Sequence, residues 1–107
     1  MQSNISNDQK AKLDAGKLRY DLIPAECLEE LARVYTLGES KYGPNTWQKV
    51  ESKRYEAALF RHLQAWRKGK KINMEDGVLL RHMGQVAWNA FALLWKELED
   101  EKIARTI

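Results

Sequence analysis

The stretch Asn73 to Glu101, NMEDGVLLRHMGQVAWNAFALLWKELEDE, decides how this chain is expected to fold. Within it Leu79, Met83, Val86, Ala87, Ala90, Leu94 and Leu98 recur at three- and four-residue steps, the period of one face of an α-helix. Asn73 is a good N-cap, because its side-chain oxygen can accept a backbone N–H of the first turn. Asp76 follows three residues on, in the reciprocal capping position. The spacing therefore predicts one long helix from about Asn73 toward Glu101, with the apolar stripe as its buried side.

Two helices are expected before it. Cys27, Leu28, Leu31, Ala32 and Tyr35 share helical spacing from Pro24 to Leu37, and Gly38 stands where a C-terminal glycine cap belongs. From about Ser52 to Lys68 the residues Tyr55, Leu59, His62, Leu63 and Trp66 lie on one face, and Gly69 is the stop. Residues 39–50 carry the turn signals Tyr-Gly-Pro-Asn and read as a structured loop. Residues 1–11 read as a polar arm, 12–24 as an extended lead-in that packs Leu22 and Ile23 on the body, and 102–107 as a tail that frays. No alternating strand pattern stands out. The expected architecture is all-α, three helices with a long structured loop between the first two, forming one domain over residues 12–101. A unit this small is expected to bury its leftover apolar stripe in a homo-oligomer, a dimer or higher.

Composition narrows the function. The 18 basic residues are interleaved with 15 acidic ones for a net charge of +3, which argues against a dedicated nucleic-acid-binding domain. The run Arg67-Lys68-Gly69-Lys70-Lys71 is explained as a solvated helix end whose cations complement the dipole. The single cysteine, Cys27, cannot form an intrachain disulfide and reads as a small buried hydrophobe. With a polar N-terminus and no apolar run of bilayer length, the expected location is cytoplasmic, without a membrane partner.

The chemistry concentrates in Lys41-Tyr42-Gly43-Pro44-Asn45-Thr46-Trp47. Lys41 can meet a phosphate, Tyr42 or Trp47 can stack on a base, and Asn45 can donate to and accept from a purine edge. The same residues also fit a tight turn in which Trp47 and Tyr42 plug the core and Asn45 bonds its own backbone. His62, on the apolar face of the second helix beside Arg61, is either a satisfied core histidine or a ligand. His82, Gln85 and Asn89, spaced three and four apart, form a polar edge that needs partners, from another helix or from a substrate.

Phosphoryl chemistry at a nucleoside triphosphate ordinarily calls for a divalent metal held by carboxylates. Glu75 and Asp76 are the candidates for metal and catalysis, although capping and dipole compensation also explain them. Glu26-x-x-Glu29 and Glu97-x-x-Asp100 have paired-carboxylate spacing, but a helix and a loop separate them and the second pair reads as a solvated helix end.

In order along the chain, Lys12-x-Asp14-x-Gly16-Lys17-x-Arg19-x-x-Leu22-Ile23-Pro24, the Lys41 to Trp47 loop, Ala57-Ala58-Leu59-x-Arg61-His62-Leu63, and Gly77 with His82-x-x-x-Val86-Ala87-Trp88-Asn89 resemble the small phage dATP/dGTP diphosphohydrolase family, relatives of the MazG-like all-α NTP pyrophosphatases. The resemblance implies hydrolysis of a purine deoxynucleoside triphosphate to monophosphate and pyrophosphate, with Mg²⁺ or Mn²⁺, by a helical oligomer. It also implies Lys17, Arg19, Lys41 and Arg61 as phosphate contacts, Tyr42, Asn45 and Trp47 around the nucleoside, and His62, His82 and Asn89 in a polar seam beside it. Where the family commonly reads Gly-Glu-x-x-Asp-x-Glu-Ser-Gly, this chain has Gly69-Lys70-Lys71-Ile72-Asn73-Met74-Glu75-Asp76-Gly77, so Lys70 and Asn73 replace two carboxylates. Gln85 stands where many relatives have a second histidine. Three functions follow as expectations: a diphosphohydrolase, a nucleotide-binding protein of weakened activity that sequesters a nucleotide or nucleotide-derived signal against a host defence, or a helical oligomeric adaptor.

Overall fold

The computed structural model describes residues 16–106. Among them, helix α1 (Ala25–Tyr42) is followed by helix α2 (Ser52–Arg67), strands β1 (Ile72–Glu75) and β2 (Val78–Arg81), and helix α3 (His82–Thr106). Short 3-10 turns occupy Tyr20–Leu22 and Thr46–Lys49. The polar arm and the first residues of the lead-in fall outside the described residues. Three helices carry the fold as expected, and the sheet is a single antiparallel pair.

That pair corrects the reading of Asn73 as a helix start. Asp76 and Gly77 sit at φ 49° and 79°, positive at both central positions of a two-residue turn, which matches the right-handed twist of paired strands. The turn sets Glu75 opposite Val78 and Asn73 opposite Leu80. Asn73 therefore caps no helix. The hairpin closes where the His82 N–H donates to the Lys71 carbonyl at 2.9 Å, and α3 begins there. Leu80, almost fully buried, anchors the hairpin, whose second strand packs against α1.

Helix α1 also differs from expectation, running through Gly38 to Tyr42. A glycine inside a helix costs only about 1 kcal/mol, whereas Pro44 drives the residue before it out of the α region. Gly43 accordingly takes φ 85° and donates its N–H to the Glu39 carbonyl at 2.8 Å. Helix α2 ends as read. Gly69, at φ 88°, donates to Trp66 and Lys70 to Ala65, the paired bonds of a Schellman cap.

The largest correction concerns which side of α3 is inside. Gln85, Asn89 and Ala92 are its buried residues, while Leu79, on β2, and Met83, Ala90, Leu94 and Leu98 are exposed. The helix packs against α1 and α2 through a polar seam, and its apolar edge finds no cover among the described residues. Leu22 and Ile23 are likewise exposed, against the expectation that they pack on the body, and so is Cys27, against its reading as a small buried hydrophobe. Among the described residues no helix is long and apolar enough to cross a membrane.

Candidate functional site

The end of α1, the loop after it, α2, the hairpin and the first half of α3 line a half-open cavity of about 750 Å³. One wall is aromatic. Tyr35 of α1, Trp47 of the loop and Tyr55 of α2 stand edge-to-face around Trp88 of α3, with centroids 5.7, 6.2 and 5.3 Å from it, and Trp95 meets Trp47 at 5.1 Å. Such edge-to-face pairs add to the area they bury because ring edges are positive and faces negative. The Tyr55 hydroxyl donates to the Trp47 carbonyl, and Lys96 Nζ donates to the Gln48 carbonyl at 3.2 Å. The loop is thus tied to two helices. Trp88 Nε1, buried in this cluster, has no hydrogen-bond partner among the described residues.

The two readings of the loop each apply to different residues. Trp47 is half-buried in the aromatic cluster, as a core plug would be, whereas Tyr42 is exposed on the rim. Asn45 sits in the left-handed region at φ 62°, and its side chain caps nothing in the following turn.

Cations and amides form the remaining surface. Lys41, Arg54 and Arg61 line the cavity, with Gln85 and Asn89 buried at its floor. Lys41 Nζ lies 3.0 Å from Asp76 Oδ2, 3.4 Å from Glu75 Oε1 and 5.2 Å from the Tyr42 ring centre. The hydrogen bond it donates to Asp76, with contributions from Tyr42 and Glu75, holds that ammonium charged well above the ordinary lysine range. A chain of side-chain amides reaches from α3 to the carboxylate: Gln85 Nε2 donates to Asn73 Oδ1, and Asn73 Nδ2 donates to Glu75 Oε2 at 3.4 Å, while Asn89 Nδ2 donates to the Gln85 backbone carbonyl at 2.7 Å.

His62 lines the same cavity and meets His82 Nδ1 to Nδ1 at 2.9 Å. In that contact one ring must donate and the other accept. Burial, then the neighbouring His82 and Arg61, push the His62 imidazole below its ordinary value, although Glu75 opposes them. His62 is therefore neutral at pH 7. When it donates from Nδ1, its Nε2 carries a free lone pair.

Residues 7–106 match the family described as dATP/dGTP diphosphohydrolase, N-terminal. The chain belongs to this family. It is also similar to a dATP/dGTP diphosphohydrolase of Salmonella phage PMBT28, 34% identical over 84 residues that make up 78% of this chain. The chain spans about 28% of that relative's length. No solved structure matches it.

Against the family resemblance read from the sequence, the fold brings Lys41, Tyr42, Asn45, Trp47, Arg61, His62, Asn89 and Glu75 to one cavity. His82 and Asp76 join it through His62 and Lys41. Lys17 and Arg19 do not line it. They lie on the exposed lead-in, where Arg19 pairs with Asp21 at 2.8 Å and holds that carboxyl below its ordinary range. Arg54, Glu39, Tyr35 and Tyr55 line the cavity without having been singled out as site residues. Arg54 had a legible signal, since it precedes Arg61 by two helical turns and so shares its face.

The metal that the family implies finds a partial donor set. Among the described residues no three of His, Cys, Asp and Glu converge on a metal position, and the Glu26, Glu29, Glu97 and Asp100 carboxylates are exposed and off the cavity. Glu75 and Asp76 do converge on one cation, because a single ammonium reaches both. Two carboxylates completed by phosphate oxygens and water are how Mg²⁺ commonly binds at triphosphate sites. The donor set fits a divalent ion on that condition, with Lys41 moved aside.

Proposed function

We propose that this chain binds a purine deoxynucleoside triphosphate in the cavity and acts in its hydrolysis to monophosphate and pyrophosphate. The observation that carries the reading is the meeting, in one cavity of family-typical sequence, of an aromatic wall, three cations and buried amides. In this reading Lys41, Arg54 and Arg61 hold the phosphates, with the arginines suited to paired oxygens. The base lies against Tyr42 and the aromatic wall, where the Gln85 and Asn89 amides offer polar contacts.

Water adds to the α-phosphorus, the bond from that phosphorus to the bridging oxygen breaks, and pyrophosphate leaves with the bond electrons. The proton lost by water passes to Nε2 of neutral His62, while His82 holds the ring in orientation. A divalent ion held by Glu75, Asp76 and phosphate oxygens would supply charge neutralisation on the triphosphate. Incubation with dATP or dGTP and Mg²⁺ or Mn²⁺ should release pyrophosphate, and folded protein that releases none with either metal refutes the hydrolytic reading.

A second reading, capture of a nucleotide with little or no turnover, is favoured by Lys70 and Asn73 in place of the family's carboxylates. It predicts intact ligand on extraction of the complex. Recovery of monophosphate and pyrophosphate alone decides against it.

A further inference from the structure

Glu75 and Asp76 are neighbours across the start of a two-residue turn whose register is set by the Glu75–Val78 pairing. Their reach is therefore restricted, and both carboxylates are spent on one ammonium, at 3.4 and 3.0 Å. That ammonium comes from the last turn of α1, a separate element, and its side chain is only about a quarter exposed. A third electron-rich group, the Tyr42 ring, sits beneath it at 5.2 Å. Asn73 holds the other oxygen of Glu75, fixing which face of the carboxylate turns to the lysine.

A divalent ion on these carboxylates would have to occupy the volume the ammonium fills, and the two positive charges repel at such separations. The protein offers that ion no third acidic or imidazole ligand among the described residues to offset the repulsion. Phosphates change the balance in two ways. They give the Lys41 ammonium another anionic acceptor within the cavity it lines, and they bring the oxygens that complete a metal's coordination.

We infer that Lys41 is an internal cation that excludes divalent metal from Glu75 and Asp76 until phosphates draw it away, so that metal enters with nucleotide and not before. The inference rests on the nucleotide-binding reading of the cavity and assigns it an order of assembly. Exclusion by the lysine is a property of the nucleotide-free chain, so it is tested there.

The test is Mn²⁺ titration of the nucleotide-free protein, followed by the loss of the free-ion electron paramagnetic resonance signal. The arms are the wild type, Lys41→Met and Lys41→Arg, each checked for native helicity by circular dichroism. Lys41→Met should bind Mn²⁺ at least tenfold more tightly than the wild type, while Lys41→Arg, which keeps the positive charge, should match the wild type. A Lys41→Met variant that binds Mn²⁺ no better than the wild type overturns the inference, as does wild-type protein that binds it equally well with and without a non-hydrolysable dATP analogue. Binding of that analogue in EDTA, measured by calorimetry, separately tests the cavity as a nucleotide site. Its absence under all metal conditions refutes the functional reading rather than the role of Lys41.

Discussion

His62 joins a measurable property to a role. Burial lowers its proton affinity, so between its lowered value and the ordinary 6.5 the unfolded chain takes up a proton that the folded chain refuses. The stability it contributes is therefore complete above about pH 6.5 and is lost as pH falls through that window. Thermal midpoints should be flat above pH 7 and drop below 6.5, and His62→Gln should flatten the drop. If His62 receives the proton from water, pyrophosphate release persists through most of that window and falls only as pH drops through the lowered value itself, and His62→Gln lowers kcat by about 10²-fold or more. Equal kcat in variant and wild type would remove it from the reaction. Arg54→Ala should weaken affinity for a triphosphate more than for the nucleoside, a contrast that calorimetry with both ligands reads directly.

The hairpin shows how one turn sets the geometry of a site. Gly77 has φ 79°, with open space around it, so an added Cβ meets no neighbour and suffers only from the backbone conformation. Gly77→Ala should cost about 1–2 kcal/mol in urea denaturation on that ground. Because the turn also aims Glu75 and Asp76 at Lys41, the substitution should loosen that ion pairing, and a change in stability without any change in Mn²⁺ or nucleotide binding would dissociate the two. The Asp-Gly pair was legible as a hairpin signal in NMEDGVLL. A helical spacing runs through it and masks it, since Leu79 falls in phase with Met83 and Val86. Phase alone does not distinguish a strand residue that precedes a helix from a residue within it.

Among the described residues an apolar edge is left without cover, including Met83, Phe91, Leu94 and Leu98 of α3. The expectation of a homo-oligomer becomes a concrete proposal here, because contiguous apolar surface of this kind marks an interaction site. Light scattering on a sizing column should give a mass that is a multiple of 12.5 kDa, and Leu94→Glu with Leu98→Glu should reduce it. A wild-type protein that is monomeric at high concentration refutes the proposal. Since α3 also carries Trp88 and Asn89 on its other side, a dimer across this edge would stiffen the cavity without entering it.

From the residues alone one can read the three helices, the stop at Gly69, and the segment from Lys41 to Trp47 as a candidate site, because these depend on local spacing, backbone preference and side-chain type. The side of α3 that turns inward was not legible that way. Hydrophobic periodicity identifies a stripe but not what covers it, and here Gln85, Asn89 and Ala92 face α1 and α2 while Leu94 and Leu98 stay exposed among the described residues. Only tertiary packing brought Arg54 and the four rings around one cavity, paired His62 with His82, and set Lys41 on carboxylates more than thirty residues away. Such contacts join elements that are distant along the chain, and their geometry follows from how α1, α2, α3 and the hairpin meet.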